Sequence, residues 1–272
     1  MKKINCKLEY YKLKTILSNE IKNPFSLGLS YKLYCVVNST KDLKRFKDIH
    51  KGEECFIVGT GPSLTKDDIE LIRGKYSFGV NTLYKIYDQI DWRADYYCII
   101  DPNTYGKVSE DLIRYDVKNL FLAQNRIRNK GNINSNVIGF NLNCNSFYRV
   151  LNTEYFNGIS EFGGNFDDGI YDGASVVYAT LQIAVYMGFE KIYLIGVDCN
   201  YDKEVDQLHN RDLGYGADYV YNWTKQTGIT MIEGFKIAKE YADKYGIDIY
   251  NATRGGMLEV FPRVQLEEVV MK

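Results

Sequence analysis

The chain has 272 residues, with 34 Lys and Arg against 35 Asp and Glu and a formal net charge of −1. That length buries a substantial core without metal or disulfide staples, and the balanced charge gives no general electrostatic case for binding nucleic acid. The six cysteines stand singly, with no Cys-x-x-Cys pair, which argues against a zinc site or a disulfide frame and for buried free thiols in a reducing compartment.

Residues 1–51 carry twelve Lys or Arg against four Asp or Glu, so the remainder is acidic. In this arm Tyr10, Leu13, Ile16, Leu17 and Ile21 recur at helical spacing with lysines elsewhere, which predicts an amphipathic helix over residues 7–21. After Pro24, Leu33–Val37 reads as a strand or a buried run, and Asp42–His50 as a charged helical connector with His50 at the surface. A basic arm beside an acidic body suits an anionic lipid, a lipid-linked glycan or a neighbouring subunit of a homo-oligomer; a solvated helix packed on its own domain fits equally. The expected division is an arm, 1–51, and an α/β domain, 52–272. No stretch approaches the roughly 20 apolar residues of a membrane span, and the N-terminus lacks the apolar core of a signal peptide. The expected location is the cytoplasm, with peripheral contact to the inner face of a membrane through the arm.

From Cys55 onward apolar runs alternate with helical patterns, which predicts an α/β fold with a mostly parallel sheet and helices on both faces. The strands are expected at Cys55–Gly59, Ser77–Asn81, Asp95–Ile100, Asn119–Ala123, Asn136–Phe140, Lys191–Val197 and Ile247–Tyr250. The helices are expected at Lys66–Arg73, Thr82–Tyr87, Gly106–Arg114, Gly173–Met187 and Gly228–Tyr245, with Gly188 stopping the fourth.

Ligands of such sheets lie beyond the carboxyl ends of the strands. The residues there are Thr60–Ser63, Asn81, Asp101 with Asn103, Gln124 with Asn125, Asp198 with Asn200, and Asn251 with Thr253. This set is rich in amides and small hydroxyls and poor in Lys and Arg, so it suits ribose, base edges and sugar hydroxyls better than a cluster of charges. Gly59-Thr60-Gly61-Pro62-Ser63-Leu64 joins a strand to a helix through a tight turn, where backbone N–H groups meet an anion and Ser63 or Thr65 caps the helix. It lacks the third glycine of the dinucleotide fingerprint and the Gly-Lys-Ser/Thr of the Walker loop, and an ordinary strand-to-helix turn is the plain alternative. Gly173 opens a second helix N-terminus toward the same cleft. Asp198, at a strand end, accepts from ribose hydroxyls, orients a catalytic residue, or caps its own loop. Asp167-Asp168 falls in a Gly-rich loop and reads as a solvated cap, so no metal ligands are assigned.

Phe56–Leu64, Gly79-Val80-Asn81, and the Asp172-Gly173 helix leading into Lys191–Asp198 together resemble the bacterial sialyltransferases of glycosyltransferase family 42. Closer still is the related group of motility accessory factor proteins and 6-hydroxymethylpterin pyrophosphokinases, which Trp92–Tyr97 and Asn251–Gly256 also fit. The resemblance covers roughly residues 52–262. It implies a Rossmann-like sheet of a GT-A-like variant and assigns Gly59, Thr60, Gly61, Ser63, Asn81, Gly173, Ser175, Gly196 and Asp198 to nucleotide contact, with Asp101 and Asn200 added from their strand-end positions. Thr60 stands where the sialyltransferases usually have Asn, and Ile229 where their catalytic His falls. Of the two histidines, His209 lies in the polar segment Cys199–Gly216, where the pterin-kinase-like group often carries one.

The resemblance implies a glycosyltransferase that moves an acidic sugar from a CMP-sugar to a glycan or glycolipid acceptor, with inversion, in surface polysaccharide synthesis. His209 is the expected base, Asp198 its companion, and Tyr215 or Tyr201 the groups that steady the leaving phosphate. No cofactor is required in this reading. The first alternative is a pterin pyrophosphokinase using ATP and Mg²⁺ held by Asp101, Asp168 or Asp198. The second is a noncatalytic nucleotide-binding scaffold of a glycan assembly complex.

Overall fold

The structure, a computed structural model, describes residues 41–124, 127, 137–143, 162–163, 169–200 and 217–271. Two compact units divide the chain, Met1–Ser39 and Thr40–Lys272, and the second is described here. The expected helix over 7–21 and the run Leu33–Val37 lie outside the described residues.

Seven strands form one parallel sheet: β1 Glu54–Val58, β2 Ser77–Val80, β3 Tyr96–Ile99, β4 Leu120–Ala123, β5 Val137–Phe140, β8 Lys191–Ile195 and β9 Asp248–Asn251, in the order β5-β4-β3-β2-β1-β8-β9. All seven coincide with the runs read from the sequence, within one or two residues at each end. Two further strands, β6 Leu142–Asn143 and β7 Ile170–Tyr171, pair with each other.

Alternate strand residues feed two cores, as the period-2 geometry requires. Cys55, Ile57, Phe78, Cys98, Phe121 and Leu194 face one side, and Phe56, Val58, Tyr97, Leu122, Tyr193 and Ile195 the other. Helices α4 Val176–Tyr186 and α5 Ala217–Tyr245 cover the first side. Helices α2 Lys66–Leu71, α3 Pro102–Arg114 and α6 Leu266–Val270, with a 3-10 turn at Leu83–Ile86, cover the second. In α4, Val176 to Ala184 are buried without a break, because the helix is sandwiched between sheet and α5. In α3 only Thr104, Tyr105, Val108 and Leu112 are buried, a single stripe at helical spacing.

Gly188 ends α4 as expected, at φ +92, with its N–H on Val185 O and that of Phe189 on Ala184 O. Three helix starts differ from the sequence reading. α3 begins at Pro102 rather than Gly106, because Asp101 caps it and Pro102 takes its first turn. α4 begins at Val176 rather than Gly173, because Ala174 is left-handed at φ +61 and Ser175 is the N-cap. α5 begins at Ala217, so Gly228 is interior and not a start.

The connector ahead of β1 contains a short helix, α1 Lys41–Lys44. Leu43, Phe46 and His50, residues that the sequence assigns to the arm, are buried in the body. Asp48, His50 and Gly52 donate their N–H groups to Tyr186, Met187 and Gly188. His50 is therefore not at the surface. Its Nδ1 meets Glu53 Oε2 at 2.5 Å and its Nε2 the Tyr96 hydroxyl at 2.6 Å, while the ring stacks on Phe189. Satisfying both nitrogens makes the imidazole burial tolerable despite the charged sequence around it. Among the described residues no helix is long and apolar enough to cross a membrane.

Candidate functional site

Strand order reverses at β1, with β2 to β5 on one side and β8 and β9 on the other. In an open parallel sheet such a reversal marks where ligands bind, beyond the carboxyl ends of the strands. Gly59, Thr60, Gly61 and Ser63 follow β1 on this rim, and Gly196, Asp198 and Asn200 follow β8. Loops separated by about 135 positions in sequence thus come into direct contact.

That contact is specific. Gly59 N–H donates to Ile195 O and Gly61 N–H to Gly196 O, each at 2.8 Å, and Ser63 Oγ donates to Asp198 Oδ2 at 2.8 Å. A Cβ on Gly59 would stand 2.2 Å from Gly196 O, and one on Gly61 would stand 1.7 Å from Asp198 Oδ2. The space over both glycines is taken by the β8 loop, so packing within the chain already demands them. Thr65, not Ser63, caps α2, forming a capping box with Asp68.

A third loop backs Asp198. Met257 N–H donates to Asp198 O at 2.7 Å, and a Cβ on Gly256, itself at φ +74, would lie 2.7 Å from that oxygen. Val197 N–H donates to Thr253 Oγ1, Thr253 N–H to Asn251 Oδ1, and Asn251 Nδ2 to Leu258 O. Asn251 and Thr253 are both buried and turned to the chain. The Arg263 guanidinium donates to the carbonyls of Thr253, Gly255 and Gly256 and pairs with Glu259. Arg254 pairs with Asp68 and Glu267. The sequence reading does not mention Arg263, and its neighbours give no signal of the role. Asp198 is only 8% exposed, and burial pushes its carboxyl up, opposed by the Ser63 hydroxyl and amide and by the charge of Arg263.

Asn81 ends β2 beside these loops at φ +48. Its Oδ1 and the Thr82 hydroxyl are buried and have no hydrogen-bond partner among the described residues. Asp101, at the end of β3, caps α3 by accepting the Thr104 N–H at 2.7 Å. Gly173, Ala174 and Ser175 precede α4. The far end of α4 holds residues 48–52 ahead of β1, so its N-terminus faces the rim with the β1 and β8 loops. There Asp172 Oδ1 accepts the Ala174 N–H and Ser175 Oγ the Val177 N–H. Gly173 fits because the Tyr178 ring lies 2.5 Å from where its Cβ would be. Three non-glycine residues on this rim, Asn81, Ala174 and Cys199, hold left-handed backbones. Strain of this kind gathers at binding sites, where surrounding structure over-determines it.

The structure thus brings Gly59, Thr60, Gly61, Ser63, Gly196 and Asp198 into one joined pair of loops, with Asn81, Asp101, Ser175 and Asn200 at neighbouring strand or helix ends. His209, Tyr215, Tyr201, Asn125 and Asp167–Asp168 lie outside the described residues. A divalent ion for a kinase would draw on Asp101, Asp168 and Asp198. Asp101 is engaged in a cap and Asp198 with Ser63, and among the described residues no three His, Cys, Asp or Glu side chains converge.

No curated protein matches the chain. Among solved structures it is similar to the MAf glycosyltransferase from Magnetospirillum magneticum AMB-1, at 15% identity and a TM-score of 0.50, covering 85% of this chain and 38% of that one. The chain therefore spans well under half the length of that protein, and a likeness at this identity concerns the fold. The profile of a family described as 6-hydroxymethylpterin diphosphokinase MptE-like matches residues 30–204, which take in β1 to β8 and the joined loops that follow β1 and β8. With more than half of its length matched, this chain belongs to the 6-hydroxymethylpterin diphosphokinase MptE-like family.

Proposed function

We propose that the protein is a glycosyltransferase that moves an acidic, sialic-acid-like sugar from a CMP-sugar donor to a glycan or glycolipid acceptor. The observation that carries this reading is the rim at β1 and β8, where two glycine-dependent loops are joined at the reversal of strand order and Thr60, Asn81 and the N-terminus of α4 lie beside the join. The described cations near it are engaged elsewhere, Arg263 with carbonyls and Glu259, and Arg254 with Asp68 and Glu267. Such a lining favours a nucleoside monophosphate ester over a triphosphate, which calls for several free positive groups or a metal. The fold shared with the MAf glycosyltransferase supports the same direction.

In this reading Thr60 and Asn81, with the N-terminus of α4, receive the nucleotide, and Gly61 and Ser63 hold the shape of the loop that carries Thr60. The acceptor hydroxyl loses its proton to His209, its oxygen bonds to the anomeric carbon, and the bond from that carbon to the phosphate oxygen breaks, releasing CMP with inversion. Tyr215 steadies the departing phosphate, and Asp198 holds the β1 loop in place. The acidic donor, the surface-glycan setting, peripheral membrane contact through residues 1–51 and self-association belong to the same proposal.

The family's own description favours a second reading, pyrophosphoryl transfer from ATP to a pterin alcohol. Calorimetric titration with CMP, UDP, GDP and ATP, each with Mg²⁺ and with EDTA, separates the two. Metal-independent CMP binding is expected. Mg²⁺-dependent binding of ATP alone would replace the sugar-transfer reading by the kinase, and binding of none would refute the nucleotide site.

A further inference from the structure

Tyr97 lies within β3 with no exposed surface, yet its hydroxyl reaches the turn that follows the neighbouring strand β2. It donates to the Asn81 carbonyl oxygen at 2.8 Å and accepts the Tyr84 N–H at 3.1 Å. Gly79 leaves the passage open, since a Cβ there would stand 2.7 Å from the Tyr97 ring. One phenol thus bridges the two ends of the turn between β2 and the 3-10 segment.

The turn so held is costly in two ways. Asn81 sits at φ +48, a conformation that asparagine reaches more readily than other non-glycine residues but still against a preference for right-handed backbone. Its Oδ1 and the Thr82 hydroxyl are both buried with no partner among the described residues, although buried polar atoms in folded proteins are nearly always bonded. A strained turn with unmatched hydrogen-bonding groups, fixed from below by a buried hydroxyl and placed beside the β1 loop, has the character of a recognition corner awaiting its ligand.

We infer that Tyr97 is a positioning residue for nucleotide recognition, its hydroxyl holding Asn81 in the left-handed turn from which the Asn81 side chain meets the ligand. This rests on the rim being a nucleotide site. Tyr97 itself is sealed in the core and touches no ligand. Burial pushes its phenol well above the ordinary value, so it remains a neutral donor at every working pH.

The test compares wild type, Tyr97→Phe, Asn81→Gly and the double variant, by calorimetric titration with CMP well below each melting temperature and by amide exchange without ligand. Tyr97→Phe is expected to weaken CMP binding about tenfold, a loss of one hydrogen bond's order. In the Asn81→Gly background the same change should weaken binding by less than about twofold, because its effect runs through Asn81. Exchange at the Tyr84 N–H should accelerate about tenfold in Tyr97→Phe. A lower melting temperature with unchanged CMP affinity would show a merely structural hydroxyl and overturn the inference, as would unaccelerated exchange. Should Tyr97→Phe not fold, Gly79→Ala displaces the ring instead and is expected to give the same loss of affinity; unchanged affinity there overturns the inference equally. Wild type that binds none of CMP, UDP, GDP or ATP refutes the nucleotide site itself, a result distinct from wild type and Tyr97→Phe binding CMP alike.

Discussion

Gly61 and Asp198 compete for one volume, and the competition yields a quantitative prediction. A methyl at Gly61 would fall 1.7 Å from Asp198 Oδ2, 2.7 Å from its Cγ and 2.8 Å from Gly196 O. In Gly61→Ala the carboxylate must swing away and release Ser63, losing a hydrogen bond to a charged group worth about 1.5–3 kcal/mol. The remaining approach to Gly196 O adds overpacking of about 1–2 kcal/mol. The expected loss is therefore roughly 3–5 kcal/mol, a fall of about 6–20 °C in melting temperature for a body of this size. Asp198→Ala alone should cost about 1.5–3 kcal/mol through the same lost bond. In Gly61→Ala/Asp198→Ala the carboxylate is gone before the methyl arrives, so only the Gly196 contact is added. Urea unfolding of the four proteins should show a double variant at least 1.5 kcal/mol more stable than the sum of the single effects predicts, about the energy of the shared bond. Costs that add to within about 0.5 kcal/mol would refute the clash between a Gly61 methyl and the Asp198 carboxylate.

Two further outcomes follow from the same geometry. Burial raises the Asp198 carboxyl above its ordinary value of 3.8, so the native state holds this proton more tightly than the unfolded chain. The associated stability is complete below the ordinary value and is lost as pH rises through the raised one; Asp198→Asn keeps an acceptor for Ser63 and removes this loss. Wild-type stability relative to Asp198→Asn should accordingly fall from pH 3.8 upward in urea titrations, and a flat difference would remove the desolvated-carboxylate explanation. Asp68, 3% exposed, accepts the Thr65 N–H and hydroxyl and the Arg254 guanidinium. Thr65→Ala should cost about 1 kcal/mol, the usual worth of a cap, and Asp68→Ala about two to three times that because it also strands Arg254; equal losses in thermal unfolding would show the ion pair to be idle.

The large sheet was legible because its strands are apolar runs closed by Gly, Asn, Asp or Gln, and burial on both faces leaves little room for another pattern. The pair β6 and β7 was not, since two-residue strands have no period to read. β7 is instead held by Gln182, whose amide accepts the Tyr171 N–H and donates to the Tyr171 carbonyl. Gly228 looked like a helix start because glycine usually interrupts a helix, and here tertiary packing overrides that local preference. For the candidate site, the sequence brings out the two loops that the structure joins, but not that packing within the chain demands their glycines. The closeness of Ser63 to Asp198 depends on β8 lying next to β1, a matter of strand order that no local pattern encodes. His50 was misplaced for a similar reason, because its partner Tyr96 and its stacking partner Phe189 are remote in sequence.

The stitching of the β1 loop to the β8 loop and of the β8 loop to Met257 has a consequence for how the candidate site meets a small molecule. Its walls are set while the chain folds, so an arriving nucleotide encounters backbone already in its final place. Association should then proceed with little backbone rearrangement of these walls, and the entropy lost on complex formation should come mostly from the guest.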